Sequence, residues 1–317
     1  MDKLAIVIPA YKVIFLHHTL TSISNQTCKD FTLYIGDDSS PDDIKSIVDL
    51  YCNRISIIYK RFEDNLGETD LVAHWERCID LTRDEEWIWL FSDDDVMSEN
   101  CVEGFYEMLA RYDNEISLNK VFRFNLSITD ADLNLLRRYV TPQDFSVEYF
   151  LESYFTNHNF RNKGVEFIFS KKAYSEKEKY VNFPLAWGSD TATMLKYGQS
   201  AGFVTIEKGQ VFWRDSGYNV SSSSDPKINN QKPYITNLFL KWVIDFIKVY
   251  KGSQFHEKLI YHILYFFPSL PSLNNVKEIY TDKDKLYYKI LGWIVFIKIK
   301  RIFRVHKIKM ILQNYIN

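Results

Sequence analysis

The sequence contains few cysteines and no long hydrophobic run. Its four cysteines include no Cys-x-x-Cys pair, which argues against a zinc-binding or thiol-redox motif and favours free thiols in a reducing compartment. The longest late apolar run, Ile290–Ile297, lies between two lysines and is far shorter than the roughly 20 residues that span a bilayer. The apolar stretch after Met1 is too short for a signal peptide. We therefore expect a soluble or peripheral cytoplasmic protein.

The chain also lacks a strong excess of charge and any internal repeat. A formal net charge of -2 argues against a general nucleic-acid binder, so no nucleic-acid partner is expected. A length of 317 residues predicts one large domain with an appendage. The stretch Ser221–Pro226 is the clearest linker. We place the domains at residues 1–222 and 223–317, the second of them helical.

Short apolar runs alternate with helical patterns in the first hundred residues. This alternation predicts an α/β fold with a mostly parallel central sheet and helices on both faces. Later segments predict helices at 98–112, 147–155 and 189–197, strands at 120–128, 164–170 and 211–215, and further helices at 234–250, 255–267 and from 286 onward. The first four predicted strands are Leu4–Ile8, Phe31–Gly36, Ile55–Tyr59 and Trp87–Phe91.

Acidic residues follow two of these strands. Asp93, Asp94 and Asp95 come after the fourth strand, and Asp37 and Asp38 come after the second. Carboxyl ends of parallel strands share one edge of a sheet, where ligands bind. Carboxylates this close raise one another's pKa, and Mg²⁺ or Mn²⁺ would relieve the repulsion through oxygen ligands. The alternatives are a solvated acidic turn for the triplet and an ordinary strand-ending turn for the pair.

Five motifs in order carry a resemblance to a known family. The chain resembles family 2 of the glycosyltransferases, which have a GT-A fold, closely over residues 4 to about 98 and more loosely over 164–221. The motifs are a Pro-x-Tyr turn at Pro9-Ala10-Tyr11, Ser-x-x-x-Gln-Thr at 22–27, an Asp-Asp loop at 37–42, Asn-x-Gly at Asn65-Leu66-Gly67, and Asp-x-Asp at 93–95.

The resemblance implies roles for the acidic residues. Asp95, with Asp93, would hold a metal that bridges the two phosphates of a nucleotide-sugar donor. Asp38 or Asp37 would accept the imide N–H of a pyrimidine base in a charge-assisted hydrogen bond. The remaining donor-site positions that it implies are Pro9, Ala10, Tyr11, Asn65, Gly67 and Asp94. For Tyr11, a place in the core is the alternative.

The family also uses a late acidic residue as general base, and Asp190 matches it. At a helix start this carboxylate is expected to stay ionised and to deprotonate the acceptor hydroxyl. Helix capping is its alternative role, and Glu166 and Glu176 are rivals for the reaction. Arg214, near a loop that resembles the family's closing loop, would offer its fork to phosphate oxygens, or else form a surface salt bridge.

Three departures from the family pattern matter. Ser39 stands where a glycine is usual, so that turn is expected to differ. His74-Trp75-Glu76 stand in place of Ala-Arg-Asn, which removes a cationic contact to the nucleotide and leaves the identity of the nucleotide base open. Arg77 is a substitute for that contact. No Gln-x-x-Arg-Trp motif and no bundle of membrane spans occur. We therefore expect transfer of one sugar per encounter rather than processive synthesis.

The last segment is basic and amphipathic. No acidic residue follows Lys285, and lysines and arginines interleave with apolar residues over 297–309. As a helix it would lie on an anionic membrane surface, at the inner face of the plasma membrane, or else pack on the catalytic domain. Membrane contact would suit a lipid-linked acceptor.

The sequence thus predicts an inverting, metal-dependent glycosyltransferase of the hexosyltransferase type. It would move a single sugar from a nucleotide-diphosphate sugar to a hydroxyl of a glycan or lipid-linked acceptor, in surface polysaccharide or lipopolysaccharide biosynthesis of a bacterial cell envelope. The rivals are a sugar-phosphate nucleotidyltransferase and an inactive glycan- or nucleotide-binding module. The first would want a Gly-rich, basic phosphate loop after the first strand, where Pro9-Ala10-Tyr11-Lys12 is a poor match.

Overall fold

The computed structural model describes residues 3–249. A first compact unit comprises Met1–Phe239, and residues from Leu240 on belong to a second. The first unit therefore extends past the predicted boundary at residue 222, which stays a prediction. The predicted helices at 255–267 and from 286 on, with the basic segment, lie outside the described residues.

Strands and helices alternate along the first unit, much as the apolar pattern predicts. The strands are β1 Leu4–Ala10, β2 Phe31–Asp37, β3 Ile57–Arg61, β4 Trp87–Leu90, β5 Val96–Met97, β6 Val121–Thr129, β7 Leu135–Tyr139, β8 Asp144–Phe145, β9 Phe167–Ser170 and β10 Phe203–Arg214. The helices are α1 Leu16–Ser24, α2 Ile44–Asp49, α3 Leu71–Ile79, α4 Cys101–Leu109, α5 Asn114–Ser117, α6 Val147–Thr156, α7 Lys171–Glu176, α8 Ser189–Tyr197 and α9 Pro226–Val249.

These strands form one sheet within the described residues. Its order is β3-β2-β1-β4-β9-β6-β10-β5, with β7 beside β6 and β8 beside β10. The first four are mutually parallel, β9 runs antiparallel to both neighbours, and β6 and β10 are parallel. The mostly parallel α/β fold is thus confirmed. The carboxyl ends of β1, β2 and β4 lie together, and we call this rim the site edge.

Burial explains why the central strands were predictable. Every residue of β2 is buried, and so is nearly all of β1, because helices cover both faces of a parallel sheet and select continuous apolar runs. Three strands were not predicted. β5 and β8 have two residues each, and most of β7 is exposed, so none of them shows a periodic pattern.

A bulge in β10 sets how this strand reaches the site edge. Ile206 pairs with Phe124 in β6, but the next pair is Val211 with Leu126, so four residues of β10 lie opposite one residue of β6. Helix α4 packs closely on the bulge. A Cβ added at Gly104 would lie 2.1 Å from the carbonyl oxygen of Lys208.

No helix in the portion of the chain that the structure covers is at once long enough and apolar enough to cross a bilayer.

Gly104→Ala tests the packing of α4 on the bulge. Alanine is intrinsically better than glycine in a helix by about 1 kcal/mol, yet the new methyl would overlap backbone that cannot rotate away. We expect a net loss of about 1–3 kcal/mol in the free energy of unfolding, measured by urea denaturation. Arg111→Ala, just after the same helix and exposed, is the control and should change stability by less than about 0.5 kcal/mol. A stabilised Gly104→Ala variant would contradict this packing.

Candidate active site

One carboxylate joins the loop after β4 to the loop after β1. Asp93 Oδ2 accepts the backbone N–H groups of Tyr11 at 2.9 Å and of Lys12 at 2.8 Å. The turn of residues 9–11 also contacts the loop after β2, since the Ala10 carbonyl accepts the N–H of Asp38 at 2.9 Å. The structure therefore brings the two acidic motifs together at the site edge. Tyr11 is 39% exposed, so its alternative place in the core is wrong.

Lys12 supplies a cation inside the acidic triplet. Its Nζ lies 3.3 Å from Asp93 Oδ1 and 3.3 Å from Asp94 Oδ2. Burial lowers the pKa of Lys12, but the two carboxylates outweigh burial and the net shift is upward. The Ser216 hydroxyl also donates to Asp94 Oδ2, at 3.0 Å. Asp93 and Asp94 are thus partly neutralised by the protein itself.

No cationic side chain of residues 3–249 contacts the Asp95 carboxylate. Oδ1 accepts the backbone N–H of Arg214 at 2.7 Å, and Oδ2 accepts the Ser92 hydroxyl at 2.5 Å. Burial, and next the charge of Asp94, raise the pKa of Asp95 well above its ordinary value. Asp93 shows the same upward pKa shift, with burial as its main cause. The solvated-turn alternative therefore does not hold, because all three aspartates are buried.

The carboxylates of the triplet suit a hard divalent ion whose remaining ligands come from a substrate. Within residues 3–249 no three His, Cys, Asp or Glu side chains are grouped so that they could hold a metal ion. Magnesium-type sites commonly use only one or two carboxylates together with substrate phosphates. Asp95 fits such a site better than Asp93, because its charge has no salt-bridge partner among the described residues.

Asp37 closes its own loop. Its Oδ1 accepts the N–H of Ser40 at 2.8 Å, and its Oδ2 accepts Tyr59 Oη at 2.5 Å and Arg61 Nη1 at 2.8 Å. Ser39, in place of the usual glycine, has φ +57°. The chain therefore takes the left-handed turn even without glycine.

Asp38 organises the Asn-x-Gly turn. It accepts the N–H groups of Leu66 at 3.0 Å and Gly67 at 2.8 Å. A Cβ at Gly67 would lie 2.5 Å from Asp38 Oδ2, which explains the glycine. Asn65 Oδ1 caps the same turn through Glu68 N–H, at 3.2 Å.

Two side chains of α3 also meet Asp38. His74 Nδ1 lies 3.1 Å from Asp38 Oδ1, and the Arg77 guanidinium donates to the same oxygen. Burial lowers the pKa of His74 to about 4, so this imidazole is neutral near pH 7. Arg77 thus does reach the predicted nucleotide loop, and the contact of Asp38 with a base stays a prediction.

Asp190 lies in the first turn of α8. The preceding Gly188 has φ +88°, and Asp190 Oδ1 accepts the N–H of Thr191 at 2.7 Å. The prediction that this carboxylate stays ionised at the helix start remains a prediction. Burial raises the pKa of Asp190, and it outweighs the hydrogen bond to Thr191 and the charge of Lys163.

Lys163 connects Asp190 with the triplet. A Cβ added at the neighbouring Gly164 would lie 3.4 Å from Asp190 Cβ. Burial lowers the pKa of the Lys163 ammonium, while Asp190 and then Asp95 act in the opposite direction. The charges of the candidate base and of the candidate metal ligand therefore both act on one ammonium group.

One rival base is a buried, ion-paired carboxylate, and the other is exposed. Glu166 is fully buried and forms an ion pair with the equally buried Arg123, and burial raises the pKa of Glu166 to about 8. Glu176 is exposed at the end of α7.

Arg214 is placed differently from either alternative. Its side chain is buried, so it is no surface salt bridge. Nε donates to the Asp94 carbonyl at 2.7 Å, Nη1 donates to the Ala131 carbonyl, and the guanidinium lies 4.2 Å from the Phe15 ring centroid. In this structure the residue fixes the triplet loop to β10, and its fork does not face an open phosphate site.

A model of glycosyl transferase family 2 matches residues 5–177. The chain belongs to glycosyl transferase family 2. Among curated relatives, Glycosyltransferase GlyG of Streptococcus pneumoniae is 23% identical over 151 residues, which are 46% of this chain and 46% of GlyG. The match thus spans less than half of that relative's length.

Solved structures show the same fold. A crystal structure of S. aureus TarS 1-349 in complex with UDP-GlcNAc superposes with a TM-score of 0.59 at 14% identity, over 92% of this chain and 78% of that chain. The structure of TarS 1-349 in complex with UDP gives 0.55 at 12% identity, over 96% and 92%. These similarities support the GT-A fold of this family 2 member.

Three polar residues of the candidate site were not predicted from the sequence. Lys12 directly follows the Pro-x-Tyr turn, and this position was the only available signal for it. Lys163 and Ser216 lie far along the chain from the triplet, and no motif marks them.

The buried pair of Arg123 and Glu166 yields a stability test. Arg123→Met leaves the Glu166 carboxylate buried without its partner and should lower the free energy of unfolding by about 3–5 kcal/mol. The double variant Arg123→Met/Glu166→Leu removes both charges and should be more stable than Arg123→Met alone. Urea denaturation of the single and double variants measures this coupling. Strictly additive losses would show that the pair is not coupled.

Proposed function

We propose that this protein is an inverting glycosyltransferase that moves one sugar from a nucleotide-diphosphate sugar to an acceptor hydroxyl. The observation that carries the proposal is the position of Lys163 between the two acids. The adjacent Gly164 packs against Asp190, and the Lys163 ammonium lies over Trp213, next to Arg214, whose N–H contacts Asp95. Transfer of a sugar from a diphosphate to a hydroxyl requires a general base and a metal-binding carboxylate at one site.

Asp190 is the proposed base. It takes the proton of the acceptor hydroxyl while that oxygen forms a bond to the anomeric carbon. The bond between this carbon and the diphosphate oxygen breaks, and its electron pair leaves with the diphosphate. Because attack and departure occur on opposite faces, the anomeric configuration inverts. The raised pKa of Asp190 makes it a stronger base than an ordinary aspartate.

Asp95, with Asp93, is the proposed holder of Mn²⁺ or Mg²⁺. When bound, the ion supplies positive charge for the departing diphosphate. Lys12 neutralises Asp93 and Asp94 in part, which leaves Asp95 as the carboxylate with most need of the ion. Asp38, with Arg77 and His74 around it, is the proposed group that recognises the nucleotide base. Tyr11 is proposed as part of the same donor site.

UDP-linked sugars are the first donors to test, because the TarS structures with a related fold contain UDP-GlcNAc and UDP. For the acceptor we propose a glycan or lipid-linked glycan of a bacterial surface polysaccharide. The basic segment over 297–309 is the proposed membrane contact.

Asp95→Ala should abolish turnover and the stabilisation by nucleoside diphosphate that depends on metal. Binding at 100 times Kd adds about 2.7 kcal/mol to stability, so thermal unfolding with a panel of nucleoside diphosphates and Mn²⁺ detects its loss. Asp95→Asn keeps the side-chain shape and is the matched variant. A metal-dependent thermal shift that survives in both variants would remove Asp95 from the metal site.

Asp190→Asn should lower turnover by about 10²- to 10⁴-fold and leave donor affinity nearly unchanged. Release of nucleoside diphosphate from donor sugars, with and without Mn²⁺, measures turnover, and the thermal shift measures binding. Glu176→Gln, an exposed carboxylate, is the control and should keep activity. Equal loss of donor affinity in Asp190→Asn would mean that the base is misassigned. Release of pyrophosphate by the wild type would instead indicate a nucleotidyltransferase.

A further inference from the structure

Lys163 is held in a defined position by contacts at both of its ends. Its backbone N–H donates to Glu166 Oε2 at 3.1 Å, at the start of the 3₁₀ turn Gly164–Glu166. Its ammonium lies 3.7 Å from the centroid of the Trp213 ring. The side chain is therefore directed toward the end of β10, rather than into solvent beside its own turn.

The end of β10 is part of the candidate site. Trp213 precedes Arg214, whose N–H contacts Asp95 Oδ1 at 2.7 Å. On the backbone side, the added Cβ of Gly164 would be 3.4 Å from Asp190 Cβ. Lys163 thus runs from the neighbourhood of the base to the strand that holds the metal carboxylate.

The Lys163 ammonium has no ion-pair partner among residues 3–249, and no oxygen in this part of the chain accepts a hydrogen bond from it. Lys12, by contrast, has two carboxylates at 3.3 Å. An ammonium carries three N–H donors, and the face of an aromatic ring compensates a half-buried cation only in part. The position is suited to an anionic ligand.

We propose that Lys163 binds the terminal phosphate of the nucleoside diphosphate, as a substrate-binding residue that acts beside the metal. This inference rests on the proposed function. Of the groups that the reaction brings between Asp95 and Asp190, the diphosphate is the anionic one, whereas the acceptor hydroxyl is neutral. Negative charge on that phosphate grows as the sugar bond breaks, so a fixed ammonium stabilises the transition state more than the bound donor.

The test compares ligands that differ only in phosphate number. Calorimetric titration with Mn²⁺ present measures the Kd of the nucleoside, its monophosphate and its diphosphate, for the base that wild type prefers. Lys163→Met should weaken diphosphate binding by roughly 10- to 100-fold, the effect of losing a hydrogen bond to a charged group. Binding of the nucleoside and the monophosphate should not change. Lys163→Arg should restore most of the diphosphate affinity.

Lys120→Met is the matched control. Lys120 also lies over an aromatic ring, that of Tyr112 at 5.1 Å, but it is next to the start of β6, at the opposite edge of the sheet. The Lys120→Met variant should bind all three ligands with the affinity of the wild type.

The outcomes separate the two proposals. Diphosphate binding by Lys163→Met that equals wild type, or an equal loss for all three ligands, would overturn the role of Lys163 alone. Failure of the wild type to bind any nucleoside diphosphate with metal would overturn the proposed function, and this inference with it.

Discussion

Two backbone N–H groups, of Tyr11 and Lys12, converge on the carboxylate of Asp93, and the arrangement of the site edge depends on this contact. It fixes the end of β1 against the loop after β4. It also brings the Lys12 ammonium to Asp93 and Asp94, where the cation offsets part of the cost of burying three adjacent acids. The buried triplet is tolerated because the protein itself provides these donors.

The three aspartates of the triplet therefore differ in chemistry, although they are identical in sequence. Asp93 is saturated by backbone and ammonium donors, and Asp94 is shared between Lys12 and Ser216. Among the described residues, Asp95 receives only neutral donors. The same division holds at the end of β2, where Asp37 closes its own loop and Asp38 holds the turn of Leu66 and Gly67.

Sequence alone could predict the elements whose signal is local. β1, β2 and β4 are short apolar runs because both faces of these strands are buried, and the Asn65–Gly67 motif follows from a turn that admits no Cβ. The ion pair of Lys12 joins residues about eighty positions apart, and Lys163 reaches Trp213 only in the folded chain, so neither has a local pattern. The upward shift of the Asp190 pKa could not be predicted from the sequence for the same reason. The position of Asp190 at a helix start can be predicted from the sequence, but its burial depends on segments far away in the chain.

The bulge in β10 determines which residue of this strand arrives beside Asp95. The register between β10 and β6 differs on the two sides of the bulge, because β10 has extra residues between Ile206 and Val211. The length of this small segment thus acts as a spacer for the strand end. A change in its length by one residue would bring Trp213 or Asp215, rather than Arg214, to the triplet loop. The number of residues in this spacer is therefore constrained by the position that Arg214 has to reach.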